Sequence, residues 1–132
     1  MKTKCRITIQ GRAKVLLLED SEERISWFLQ RFASPRNCEK CVVARTADEA
    51  ISYLALEHFD FVFLDHDLGI MDQYGTAPAG NGKMVAKFIA SQGYIGDNVV
   101  IHSWNPDGAA EMKNALRNAC VIPFGQFEIE FE

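Results

Sequence analysis

No apolar run in this sequence approaches the ~18 residues of a membrane span, and no secretory leader pattern opens it. Nor is there an excess of positive charge: 14 Lys and Arg stand against 18 Asp and Glu, a net charge of −4. General DNA binding therefore has no electrostatic basis, although a specific phosphorylated end is not excluded. Cysteines are few: Cys5, Cys38, Cys41 and Cys120. Cys38 and Cys41 form one C-x-x-C, but no second pair at matching spacing completes a four-ligand zinc site. Cys41 opens the apolar stretch "CVVAR" and reads more simply as a core residue. With no secretion signal, disulfides are not expected. These absences leave a cytoplasmic protein without membrane segments as the expectation.

What is present is enough apolar material for one core: 48% of 132 residues. A single domain over residues 1–132 is expected, with its core at about 14–124. "KVLLL" (14–18) is a short continuous apolar run, as in a strand buried on both faces. "SEERISWFLQRFA" follows with Ile25, Phe28, Leu29 and Phe32 at helical spacing. "CVVAR" (41–45) reads as a second strand, and "TADEAISYLALEH" as a helix opened by a Thr46–Glu49 capping box. "FDFVFLD" (59–65) is a third strand. "KMVAKFIASQ" (83–92) is a helix, "NVVIHSW" (98–104) a fourth strand, "NPDGAAEMKNALRNA" a helix and "CVIPF" (120–124) a fifth strand. Strands alternating with helices call for an α/β fold: three layers, with a parallel sheet between helices. The ends alternate as well. "CRITIQ" and "QFEIEFE" carry complementary charges, Lys2, Lys4 and Arg6 against Glu128, Glu130 and Glu132, and are expected to pair as an added antiparallel ribbon.

In sheets of this kind with strand order 2-1-3-4-5, ligands bind outside the carboxyl ends of strands one and three. Those ends here carry Glu19-Asp20 and Asp65. Three carboxylates brought together repel one another unless a cation joins them. Mg²⁺ (or Mn²⁺) fits, because it takes oxygen ligands and keeps several waters. Asp20 and Asp65 are the expected direct ligands, Glu19 acts through water, and the backbone carbonyl of Asp67 can add another oxygen. A metal there polarises a phosphoryl oxygen, and Asp65 could itself attack phosphorus.

"KVLLLEDSEER", "FDFVFLD" and "VVIHS" together resemble the receiver domain of bacterial response regulators, over about residues 14–124. The resemblance implies a flavodoxin-like five-stranded fold, Mg²⁺ binding, phosphorylation of Asp65 by a phosphodonor kinase, and contact of Ser103 with the phosphoryl group. The departures are specific. Ile122 stands before Pro123 where receivers keep a Lys, Ala119 occupies the aromatic switch position, and Leu68-Gly69 replaces the usual Met-Pro. The last helix is expected to be missing. Two histidines arrive where those parts were lost. His66 follows Asp65 and His102 closes strand four, and both are expected to reach the same strand-end edge as an acid/base pair near the metal. Alternation nevertheless forbids His102 and Ser103 from facing one way within a regular strand.

"LDHDLG" with "HSWNPDGA" is similar to the divergent cyclic-phosphate processing receiver-like domains, which implies a role in handling cyclic phosphates. The long segment "HDLGIMDQYGTAPAGNG" (66–82) reads as a loop over the metal edge. Asn81 and Lys83 from its end, with Ser103 and Asn105, are the candidate phosphate or substrate contacts. "GTAPAGNGK" is not a P-loop, since Met84 occupies the Ser/Thr position. Three functions remain open. The first is an Mg²⁺-dependent phosphoesterase acting on cyclic phosphates, its substrate a phosphorylated small molecule or a nucleotide or RNA end. The second is a stand-alone receiver phosphorylated on Asp65 in a phosphorelay. The third is a non-catalytic interaction module on the same scaffold.

Overall fold

Eleven elements follow one another in the computed structural model, which describes residues 4–33, 38–69 and 78–132. In order they are β1 (Cys5–Ile9), β2 (Ala13–Leu18), α1 (Glu22–Arg31), β3 (Cys38–Ala44), α2 (Ala47–Leu56) and β4 (Phe61–Leu64). Then come α3 (Gly82–Ser91), β5 (Val99–Ile101), α4 (Pro106–Ala115), β6 (Cys120–Val121) and β7 (Phe127–Phe131). Each helix starts on a side chain that accepts a backbone N–H three residues on: Ser21 from Arg24, Thr46 from Glu49, Asn81 from Met84 and Asn105 from Gly108.

The apolar runs form one parallel five-stranded sheet in the order β3-β2-β4-β5-β6. Counting only its own strands along the chain, this is the expected 2-1-3-4-5. β2 and β4 are central, which is why "VLLL" and "FVFL" lack polar residues. On one face, Leu16, Leu18, Leu64 and Ile101 pack against α2, α3 and α4 through Ala50, Val85, Ile89 and Met112. On the other, Val15, Leu17, Phe63 and Val100 meet α1 through Ile25 and Phe28.

α1 covers only part of its face. Among the described residues, β6 is followed by a strand and not by a helix. The chain turns at Phe124-Gly125 and returns as β7, which pairs with β1. Ile7, Ile9 and Phe127 of this ribbon are buried on the α1 side of the core. The expected pairing of the termini is present, with Lys4–Glu128 and Arg6–Glu130 ion pairs both at 3.3 Å. Its direction is corrected: β1 and β7 run parallel, not antiparallel. Short turns reverse the chain between β1 and β2 and again between β6 and β7. Two strands that are each reversed against the same parallel sheet point the same way, so their pairing is parallel. Lys2 lies outside the described residues.

Cys38 and Cys41 both lie in β3, against the α1-side core, and all four cysteines are free thiols. Burial pushes the Cys41 thiol up to about 12. Among the described residues no helix is long and apolar enough to cross a membrane.

Candidate functional site

The strand ladder continues one residue beyond the strand ends. Glu19 N–H donates to Ala44 O at 3.0 Å, Asp65 N–H to Leu18 O at 3.1 Å and His102 N–H to Leu64 O at 3.0 Å. These bonds fix the first polar residue after β2, β4 and β5 as firmly as the strands themselves. The result is an open cleft of about 410 Å³ at the carboxyl edge of the sheet, where Glu19, Asp20, Arg24, Asp65, Asp67, Ser103, Trp104 and Asn105 line it. The sheet therefore gathers the three expected acids into one place.

Each acid is held differently. Glu19 is 1% exposed, and both of its oxygens are engaged. Oε1 accepts from Ser21 N–H at 3.1 Å and Oε2 lies 2.6 Å from His102 Nε2. Burial raises the Glu19 carboxyl, but the bond to His102 and its charge, the Ser21 N–H and Arg24 outweigh it and leave the group below its ordinary value. Asp65 is 5% exposed. Its Oδ1 accepts from His66 N–H at 2.9 Å. Burial, reinforced by the neighbouring Glu19 charge, pushes Asp65 up to about 6, against partial relief from His102, the His66 N–H and Arg24. Asp20 accepts the Gly69 N–H through Oδ2, which ties the start of the long loop to the end of β2. Among the described residues, Asp20 Oδ1 and Asp65 Oδ2 accept no hydrogen bond.

That arrangement fits a hard divalent cation. Asp20 and Asp65 are each pinned by one oxygen and keep the other, whereas Glu19 has neither oxygen to spare. Ligand atoms of Glu19, Asp65 and His102 lie within 4.8 Å of one another, but His102 is joined to Glu19 within that group. The donor set that remains is oxygen from Asp20 and Asp65, which suits Mg²⁺ or Mn²⁺ better than zinc.

The histidines do not form a pair at one edge, and that expectation is corrected. β5 sends Val100 to the α1 face and Ile101 to the other. His102 therefore returns to the α1 face, wholly buried, 5.3 Å from the Phe28 ring between centroids. Among the described residues its Nδ1 has no hydrogen-bond partner. Ser103, the next residue, lines the cleft. His66 packs instead on the first turn of α4: a Cβ on Gly108 would sit 2.4 Å from its Cγ. His66 Nδ1 is 2.9 Å from Asp67 Oδ1, and Asn105 Nδ2 donates to the same oxygen at 3.2 Å. The bond from His66 holds Asp67 below the usual carboxylate range, with Asn105 adding to it.

Two of the expected contacts from the end of the loop are placed elsewhere. Asn81 caps α3 and bridges back to Asp67, and Lys83 pairs with Glu111 at 3.4 Å; neither lines the cleft. Gly82 N–H donates to His66 O at 2.9 Å, which pinches the loop at its base. Residues 70–77 of the loop, and with them the expected cover over the metal edge, lie outside the described residues. Two features escaped the sequence reading. Gly82 and Gly108 are needed for close approach, since a Cβ on Gly82 would lie 2.0 Å from Asp65 O. Arg24 is the basic side chain in the cleft. Its signal was a positive charge in the first turn of a helix, where acids are favoured.

Solved structures similar to this chain are receiver domains. The phosphorylated cyanobacterial phytochrome response regulator RcpA matches at TM-score 0.66 and 24% identity, over 86% of this chain and 81% of that one. The BeF3-activated receiver domain of nitrogen regulatory protein C matches at TM-score 0.62 and 19% identity, over 87% and 84%. CheY in the CheX–CheY–BeF3–Mg complex from Borrelia burgdorferi matches at 0.58 and 20%, over 83% and 75%. At such identities the likeness establishes the fold alone, a five-stranded α/β fold like theirs. No curated protein matches the chain. The family model of the cyclic-phosphate processing receiver domain matches residues 15–118, and the chain belongs to that family.

Proposed function

We propose that the cleft is a divalent-cation site for phosphate chemistry, with Mg²⁺ or Mn²⁺ held by Asp20 and Asp65, and that its substrate is a cyclic phosphate ester. The observation that carries this reading is the state of Asp65. It is buried in the cleft wall beside Glu19, pinned through Oδ1 by the His66 N–H, and a cation at its remaining oxygen would relieve both the burial and the repulsion between the two carboxylates. Asp20 and Asp65 would hold the ion, which would supply polarisation of a phosphoryl oxygen. Ser103 and Asn105 border the same space and supply polar contacts to the phosphoryl group. His66 is not among the residues that line the cleft, and it acts through Nδ1 by holding Asp67, which does line it. His102 acts through Glu19 as a positioning residue, because its buried Nε2 is already committed.

A second reading has one observation in its favour. Asp65 and Ser103 both line the cleft, which supports phosphorylation of Asp65. One similar solved chain comes from a complex of CheX and CheY with BeF3 and Mg. Phosphorus NMR with Mg²⁺ and two substrates in parallel, a nucleoside 2′,3′-cyclic phosphate and acetyl phosphate, separates the readings. Catalytic opening of the cyclic ester that is lost in Asp65→Asn supports the first. An Asp65-dependent acyl-phosphate signal with the cyclic ester untouched supports the second.

A further inference from the structure

An anion brought to this cleft meets Glu19, Asp20, Asp65 and Asp67, and one divalent ion does not balance four carboxylates. Among the described lining residues the one basic side chain is Arg24. It sits in the first turn of α1, at the positive end of the helix dipole, where a cation is disfavoured. Ordinary helix energetics therefore do not explain it. Helical side chains lean toward the N-terminus, which carries Arg24 back over the strand ends. Its guanidinium lies 5.3 Å from the Phe124 ring centroid, and its Nη1 is 3.9 Å from Glu19 Oε2. That is a long ion pair rather than a hydrogen bond. Among the described residues its guanidinium makes no hydrogen bond. Arg24 is thus held by an aromatic seat and a loose ion pair, 30% exposed, with its donor fork uncommitted.

Phe124 fixes this seat from the other end of the chain. It follows β6, and its carbonyl accepts the Trp104 Nε1–H at 3.0 Å. Trp27 stacks edge-on against the same ring at 5.3 Å. The Trp104 bond holds the Phe124 backbone, and Trp27, Phe28 and Phe127 pack around its ring, so the guanidinium rests on a supported aromatic at the cleft wall.

We infer that Arg24, seated on Phe124, is the cationic phosphate-binding residue of this cleft, its planar fork taking two oxygens of the phosphoryl group. The inference rests on the reading of the cleft as a phosphate site. The fork suits two oxygens on one phosphorus, and a Lys at the same place would offer only a point charge.

The test is binding, not turnover, with inorganic phosphate as the probe in the presence of Mg²⁺. Side-chain Nε–Hε resonances of arginine are followed by NMR while phosphate is titrated into wild type, Arg24→Gln, Arg24→Lys and Phe124→Leu, and Mg²⁺ affinity is measured separately for each. The expected result is a saturable shift of the Arg24 signal and at least tenfold weaker phosphate binding in Arg24→Gln. Arg24→Lys and Phe124→Leu should lie between. Mg²⁺ affinity should be unchanged or higher in Arg24→Gln, because a positive charge beside the acids has gone. A purely structural Arg24 would instead lower both affinities together. Phosphate binding that is equal in wild type and Arg24→Gln overturns the inference and leaves the phosphate site standing. Failure of wild type with Mg²⁺ bound to take phosphate at all overturns both.

Discussion

His102 Nε2 lies 2.6 Å from Glu19 Oε2, with both side chains buried. This contact spans the sheet edge from β5 to β2 and passes behind Asp65. It makes Glu19 a fixed charge beside Asp65 rather than a mobile ligand. Removing the imidazole leaves a buried carboxylate without its partner. His102→Ala is therefore expected to cost about 3–5 kcal/mol in urea unfolding and to weaken Mg²⁺ binding. His102→Gln keeps a donor and should cost roughly 1–2 kcal/mol. Equal unfolding midpoints for the two variants would show that the contact does not hold Glu19.

Asp65 links pH to stability. Its carboxyl is raised from 3.8 to about 6 in the folded protein. Between those values the folded state binds more protons than the unfolded state, so this group makes stability fall as pH rises from about 4 to about 6. Above that window the penalty is complete, on the order of 2–3 kcal/mol. Glu19 works in the opposite sense, since its value is lowered and its contribution is lost on acidification. The comparison that isolates Asp65 is wild type against Asp65→Asn, which should gain on wild type as pH rises through the window. Mg²⁺ should raise the melting temperature little at pH 5 and most above pH 7. A Mg²⁺ effect of equal size at both pH values would contradict this assignment.

Two glycines should reverse the usual preference of helices for alanine. Gly→Ala inside a helix normally stabilises by up to about 1 kcal/mol. At Gly82 the added carbon would lie 2.0 Å from a backbone oxygen, and at Gly108 it would meet the His66 ring. Both substitutions are expected to destabilise by roughly 1–3 kcal/mol. Gly82→Ala should be the worse, because a side-chain ring can shift and a strand-end carbonyl cannot. Thermal melts of the two variants check the sign and the order.

The terminal ribbon should matter through its apolar face and not its charges. Phe127 is wholly buried against Phe63 and Trp27, so Phe127→Ala should cost about 3–5 kcal/mol. Lys4→Ala and Arg6→Ala break exposed ion pairs and should each cost under about 1 kcal/mol. Urea unfolding of the three variants measures both.

The fold was legible because the strands of its sheet are short apolar runs and two of them end abruptly in acids. "VLLL" before Glu19 and "FVFL" before Asp65 specify buried neighbouring strands and the edge where they finish. The direction of the ribbon was not legible, since alternation and charge complementarity are satisfied by either orientation, and the turns decide. The alternation rule already set His102 apart from Ser103. Which of the two faced the cleft depended on where β5 ends, and strand ends are poorly marked in sequence. The missing Lys at Ile122 could be read directly. The presence of another cation could not, because Arg24 reaches the cleft only through the packing of α1 on Phe124.

The central claim is that Asp20 and Asp65 hold a divalent ion at the carboxyl edge of the sheet. Mn²⁺ in trace amounts, followed by paramagnetic broadening of backbone amide resonances, tests it most directly. The account predicts broadening at Asp20, Asp65, Asp67 and Ser103, reversed by excess Mg²⁺ and lost in Asp65→Asn. Broadening that is absent at these residues, or that survives Asp65→Asn unchanged, would contradict it.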